Sequence, residues 1–202
     1  MSWSPYDRDA PTAHIKEALR LFKERGGKTI VELGTARMRI NHPLEESHHD
    51  CCKDGHALLH FAQSGAHVYS CDVDPSAVQI AKEMVASYPK TRVLLKDGHR
   101  FLKNFGVAID LLSLDAWDVD HPQCAYAHLK AYRIAKKALN KSANPLVLID
   151  DTDVAMVDGK LTPVDPGPEY RSTGKGELVV PEMIKDDWKV LMTGRCTLLT
   201  RK

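Results

Sequence analysis

In KTIVELG, residues 28–34, apolar and β-branched side chains at Thr29, Ile30, Val31 and Leu33 surround one acid, Glu32, and the run stops at Gly34. Seven residues are too few for a stable helix, and an apolar run without alternation suits a strand covered on both faces. Upstream, PTAHIKEALRLFKER (11–25) spaces Ile15, Ala18, Leu19, Leu21 and Phe22 as a helix, which Gly26-Gly27 ends. Downstream, HVYSCDVD (67–74), TRVLLKDG (91–98), AIDLLSLDAWD (108–118) and NPLVLIDD (144–151) repeat the strand pattern. Asp74 caps a helix with Pro75 at its first position that runs on through SAVQIAKEMVAS, and PQCAYAHLKAYRIAKKALN (122–140) is a long amphipathic helix. Such alternation implies right-handed crossovers and a mostly parallel sheet. DWKVLM (187–192) and RCTLLTRK (195–202) break the rhythm, because only Thr193-Gly194 separates them. They predict a hairpin whose last strand runs antiparallel to its neighbour.

The expected fold is therefore α/β, with a seven-stranded, mostly parallel sheet, an antiparallel C-terminal hairpin and helices on both faces. One domain over 1–202 is expected, with an N-terminal helical segment (1–27), an enlarged loop after the first strand (36–54) and a lid or insertion (152–180) rich in Gly, Pro and charge. A formal net charge of +1 supplies no field for nucleic acid or an anionic membrane. No apolar run has the length of a membrane span, and MSWSPYDRDAPTAH shows no signal-peptide pattern. Five cysteines without framework spacing predict free thiols and a cytoplasmic protein.

Ligands of open α/β sheets sit at the carboxyl ends of the strands, near the reversal in strand order. The five predicted parallel strands end in Glu32-Leu33-Gly34-Thr35, Asp72-Val73-Asp74, Asp97-Gly98, Asp115-Ala116-Trp117-Asp118 and Asp150-Asp151. Strand-to-helix turns favour Asp and Gly for local reasons, so one such end says little. Five together crowd one edge with negative charge and call for a cationic or hydroxyl-rich ligand. Gly34 permits close approach to backbone, and an acid at the end of the second strand suits the two hydroxyls of a ribose. Asp115, Asp150 and Asp151 offer hard oxygen ligands on neighbouring strands, which suits Mg²⁺, or Ca²⁺, far better than zinc.

This order of elements resembles the class I S-adenosylmethionine-dependent methyltransferases, over roughly residues 28 to 202. TIVELGT resembles their first motif and implies that Glu32, Gly34 and Thr35 face the methionine part of the cofactor, with Gly55 opening the next helix close to it. CDVDPSAV resembles the second motif, with Asp72 as ribose ligand beside Val73. KDG resembles the third, with Asp97, Gly98 and His99 near the adenine. LLSLDAWD resembles the fourth. LDAW followed by LIDD further resembles the metal-dependent O-methyltransferases of the catechol type, and implies Asp115, Asp150 and Asp151 as ligands of a divalent cation, Asp115 also touching the cofactor. The catechol enzymes carry a lysine base just after the tryptophan. Here that position is Asp118, which by resemblance to the sugar O-methyltransferases implies a carboxylate base. The resemblance thus implies metal-assisted O-methylation of a small-molecule hydroxyl.

The first motif departs from the family's further glycines. About twenty residues, TARMRINHPLEESHHDCCKD, stand where a turn of about two to six is usual. Within them SHHDCCKDGH (47–56) gathers three histidines and two cysteines, but adjacent Cys51-Cys52 chelate one tetrahedral ion poorly. The favoured reading is a polar loop over the cofactor, with Asp54 as helix cap; zinc and a redox or substrate-contacting role for the thiols are the others. Several assignments keep two readings: Asp72 as ribose ligand or turn acid, Asp118 and Asp120 as catalytic or solvated, Trp117 as site wall or core, and Lys175 of GKGELVVP (174–181) as substrate-contacting lid or flexible turn.

Three rival functions stand beside the leading one. A dinucleotide-dependent oxidoreductase requires G-x-G-x-x-G after the first strand, which is absent. A non-catalytic module leaves the triad of acids without a purpose. A metal-free methyltransferase would use Asp115 directly on cofactor or substrate. A homodimer is an arrangement the N-terminal helix would serve by packing on a second subunit; covering the active site is its other use.

Overall fold

The computed structural model describes residues 11–39, 56–164 and 173–201. In chain order the elements are α1 (Thr12–Glu24), β1 (Thr29–Leu33), α2 (His56–Gln63), β2 (His67–Asp72), α3 (Pro75–Met84), β3 (Thr91–Leu95), α4 (Gly98–Lys103), β4 (Leu111–Leu114), α5 (Cys124–Leu139), β5 (Leu146–Ile149), β6 (Val154–Val157), β7 (Lys160–Pro163), α6 (Val179–Lys185), β8 (Trp188–Met192) and β9 (Thr197–Arg201). Seven strands form one sheet in the order β3-β2-β1-β4-β5-β9-β8. The first five are parallel, and β9 enters antiparallel between β5 and β8, as the terminal hairpin predicts. Strand order reverses at β1, whose neighbours are β2 and β4. The carboxyl ends of those two strands therefore part around a crevice.

Successive side chains of each central strand enter opposite cores, which is why the strands read as unbroken apolar runs. Ile30, Leu111, Leu146, Leu148 and Leu198 pack against Ile15, Ala18 and Phe22 of α1, Leu58 and Phe61 of α2, and Val78 and Ala81 of α3. Val31, Leu33, Leu112, Leu114, Val147, Ile149 and Leu199 pack against Phe101 and Leu102 of α4, Leu129, Tyr132 and Ala135 of α5, and Val180 and Met183 of α6. The N-terminal helix thus lies on the chain's own sheet. Among the described residues no helix is long and apolar enough to cross a membrane.

Two helix starts follow from their caps. The Asp74 side chain accepts from Ser76 N at 2.8 Å, and Asp97 accepts from Arg100 N at 2.9 Å. The segment 152–180, expected as a lid or insertion, holds regular structure of its own. Its first part is a hairpin, β6 with β7, whose turn is Asp158-Gly159 at φ 50° and 73°. Two central residues at positive φ are what a tight I′ turn needs, and Asp-Gly after a β-type run is its sequence signal. The Gly, Pro and charge of the whole segment masked that signal. Residues 165–172 of the segment lie outside the described residues, as do 40–55, and with them Gly55, the cap at Asp54 and nearly all of SHHDCCKDGH.

One acid sits inside the central strand. Glu32 is 3 % exposed and lies opposite Ser70 in the β1–β2 register. The Ser70 hydroxyl donates to Glu32 Oε2 at 2.5 Å and lies 2.9 Å from Thr35 Oγ1. Burial pushes the Glu32 carboxyl up to about 8, against the Ser70 hydrogen bond and with help from Asp115 and Asp72. The folded state therefore holds this proton more tightly than the unfolded chain. Its contribution to stability is complete below the ordinary value of 4.5 and is lost as pH rises through about 8. Glu32→Gln mimics the protonated acid. Denaturant unfolding of the variant and wild type across this range should show a stability gap that widens in favour of the variant up to about pH 8, then stays flat, reaching about 4 kcal/mol. A pH-independent gap would sink the assignment.

Candidate active site

A cleft of ≈ 480 Å³ opens at the carboxyl ends of the parallel strands. Gly34, Asp72, Val73, Asp97 and Gly98 line one side, and Arg37, Ala116, Trp117 and Asp118 the other. Gly34 has φ 86°, and a Cβ there would meet the Asp115 carbonyl oxygen at 2.6 Å. Glycine is thus demanded by the close approach of the β1 and β4 ends as well as by the open cleft. Asp72 is held from two sides: Oδ2 accepts from Thr35 N at 3.1 Å and Oδ1 from Asp74 N at 2.9 Å. Each oxygen keeps a further lone pair, and Asp72 lines the cleft. Val73 beside it is an apolar side chain 68 % exposed.

Three other expected cofactor residues make contacts of their own within the protein. Glu32 and Thr35 are buried below the cleft, where Thr35 orients Asp72 through its backbone. His99 does not line the cleft. Its Nε2 hydrogen-bonds the Ala127 carbonyl at 2.9 Å, and its ring stacks on Trp117 with centroids 4.5 Å apart. His128, packed edge-on to Trp117, is pushed down to about 3 by burial and by the nearby Lys175 charge, so it is neutral. Trp117 adopts φ 52°, a left-handed conformation uncommon for an aromatic residue.

Asp118 sits at the mouth. Arg37 donates to both its oxygens, at 2.9 and 3.0 Å. Partial burial works upward on this carboxyl, and the Arg37 hydrogen bonds and charge outweigh it, holding Asp118 below its usual range. A base role for Asp118 therefore draws on the lone pairs that Arg37 leaves free.

Asp115, Asp150 and Asp151 come together as expected: one oxygen from each lies within 4.8 Å of the others. Number, chemistry and spacing suit a hard divalent cation. The cation found among them belongs to the chain. Lys175, 2 % exposed, lies 2.6 Å from Asp115 Oδ1 and 3.0 Å from Asp151 Oδ2. Arg195 Nε approaches Asp150 Oδ1 at 3.4 Å, and the Cys196 thiol donates to the same oxygen at 3.0 Å. Burial disfavours the Lys175 ammonium, but Asp115, Asp151 and Asp150 more than compensate, so it keeps its proton. A divalent ion on these oxygens would sit in contact with that ammonium, so the set as it stands does not fit one.

Of the residues that build this site, Arg37 and Arg195 carry no local sequence signal; they are found only by asking what balances five acidic strand ends. Lys175 does carry one, since glycines flank it on both sides. A second hollow of ≈ 740 Å³ lies at the amino ends of β1 to β3, lined by Lys28, His67 and Lys90 and by residues of α1 and α2. It is larger but holds none of the strand-end acids.

No protein-family model matches the chain, and no curated protein matches it in sequence. Solved structures do match in shape. The "putative caffeoyl-CoA O-methyltransferase" of Staphylococcus aureus aligns over 94% of this chain and 83% of its own at a TM-score of 0.61 and 17% identity. The S-adenosylhomocysteine-bound methyltransferase PaMTH1 of Podospora anserina aligns over 93% and 77% at 0.59 and 16% identity. The N-methyltransferase NodS of Bradyrhizobium japonicum aligns over 96% and 87% at 0.56 and 13% identity. At these identities the likeness is one of architecture, and in architecture the chain has the Rossmann-like class I methyltransferase fold.

Proposed function

We propose that this chain is an S-adenosylmethionine-dependent methyltransferase acting on a hydroxyl of a small molecule. The observation that carries the reading is the meeting of Gly34, Asp72, Val73, Asp97 and Gly98 on one cleft, at the point where strand order reverses. The donor set suits the cofactor: a carboxylate with free lone pairs for a ribose diol, and an exposed valine beside it for a flat base. When bound, S-adenosylmethionine supplies an electrophilic methyl group on sulfonium.

The remaining work falls to side chains. Asp72 orients the cofactor, because Thr35 and Asp74 fix its carboxylate before anything binds. Trp117, braced by His99 and His128, forms a rigid wall of the cleft in which cofactor and acceptor would meet. Asp118 is the carboxylate placed to take the acceptor's proton, on a lone pair not used by Arg37, and it would do so more readily as the Arg37 pair loosens, because that pair lowers its basicity. A cleft of ≈ 480 Å³ has the size of a small-molecule site. The buried free thiols Cys71, Cys124 and Cys196 favour a reducing compartment, the cytoplasm. A metal-assisted form of the same transfer is favoured by the spacing of Asp115, Asp150 and Asp151; it requires Lys175 to leave them.

Calorimetric titration with S-adenosylhomocysteine tests the cofactor half. Wild type should bind at micromolar strength, and Asp72→Ala should lose about tenfold or more, the value of a charged hydrogen bond. Unchanged affinity would remove Asp72 from the site. For the chemical half, once a substrate screen has found an acceptor, Asp118→Asn should lower kcat by about 10² or more and leave S-adenosylhomocysteine affinity unchanged. Wild-type turnover in that variant would show that the base lies elsewhere.

A further inference from the structure

We infer that Lys175 is the resident cation of the Asp115–Asp150–Asp151 cluster, standing where a divalent ion would stand, so that the protein holds these carboxylates in place without metal. An ammonium has three protons to donate. Lys175 Nζ has three acceptors from its own chain: Asp115 Oδ1 at 2.6 Å, Asp151 Oδ2 at 3.0 Å and the Asp115 carbonyl at 3.3 Å. The ammonium is thus held by protein oxygens, two hydrogen bonds to Asp115 and an ion pair with Asp151, where a metal would take its ligands. It approaches two of the same carboxylates that a metal would need.

The backbone around Lys175 is built to deliver it. Gly174–Gly176 form a buried 3-10 turn, and the Lys175 amide donates to the Asp151 carbonyl at 3.3 Å. Gly174 has φ 55°, and a Cβ on it would collide with the carbonyl oxygens of Asp151 and Val154. Only glycine lets the turn seat so closely on the end of β5. Thr173 Oγ1 ties the turn to the Thr152 carbonyl at 3.1 Å. Asp151, at φ 49°, is itself left-handed, which presents both its carbonyl and its carboxylate to the turn. Arg195 supplies the second positive charge beside Asp150. Among the described residues Lys175 and Arg195 are the cations set against these carboxylates, and a divalent ion would have to enter beside an ammonium.

Within the proposed methyltransferase Lys175 is a positioning residue: it acts through Asp115, whose backbone abuts Gly34 at the cleft. That catalytic consequence rests on the methyltransferase reading; the exclusion of metal does not.

The test is Mn²⁺ binding by the metal-stripped full chain, read by calorimetry and by the paramagnetic signal of free Mn²⁺, with Mg²⁺ and Ca²⁺ in parallel. Wild type should show no saturable uptake below about 1 mM. Lys175→Met should bind Mn²⁺ at least about tenfold more tightly than wild type, and adding Asp151→Asn should abolish the gain. If Lys175→Met is unfolded without metal, millimolar Mn²⁺ should restore its melting transition. Saturable uptake by wild type that Asp151→Asn removes would overturn the proposal. So would a Lys175→Met variant that takes up no Mn²⁺, because the cluster would then be no cation site. S-adenosylhomocysteine binding, measured on the same wild-type sample, separates the two readings: its absence removes the methyltransferase while leaving the Mn²⁺ result to decide on Lys175.

Discussion

Three partly buried carboxylates within 4.8 Å of one another, at the ends of two adjacent buried strands, repel one another. Everything distant that converges on this edge answers that repulsion. The turn that carries Lys175 arrives from beyond the β6–β7 hairpin, and Arg195 arrives from the turn of the terminal hairpin. The hairpin turn is fastened in turn by Thr152, whose amide donates to the Arg195 carbonyl at 2.8 Å and whose hydroxyl donates to the Gly194 carbonyl at 2.9 Å. A buried lysine without its partners would cost several kcal/mol, so partners and lysine stand or fall together.

The cleft next to this cluster obeys a different constraint, steric rather than electrostatic. β1 and β4 approach so closely at their carboxyl ends that position 34 has no room for a Cβ. That approach places the Asp115 backbone against the floor of the cleft, and the next two residues, Ala116 and Trp117, form part of its lining. One short segment therefore serves both halves of the site. Its side chain at 115 faces the cation, and its indole at 117 faces the ligand space.

What was legible in the sequence follows from how local each signal is. Strands β1, β4 and β5 read correctly because two-sided burial makes each a short apolar run, β2 and the edge strand β3 because their β-type residues stand between turn signals, and the terminal hairpin because two β-type runs flank one Thr-Gly. The acids at the strand ends were legible as a set, and the structure gathers Asp115, Asp150 and Asp151 as that set implies. Their partners were not, because Lys175 and Arg195 lie 60 and 80 residues from Asp115 in the chain, and only the fold says which cation meets which acid. The orientation of His99 was likewise hidden: its place in a motif says nothing of Trp117, whose left-handed backbone turns the indole onto it. The Asp158-Gly159 turn was visible locally and was outweighed by the composition around it.

The position of these groups along the chain bears on how the molecule is made. Ribosomes deliver Asp115, Asp150 and Asp151 before Lys175, and Lys175 before Arg195. β5 also waits for β9, which is read last yet sits between β5 and β8 in the sheet. A nascent chain that has completed β1 to β5 therefore carries an open sheet edge and an unbalanced acidic cluster at one end of it. The edge of β5 and the charge of the cluster are thus both completed by residues that follow β5 in the chain.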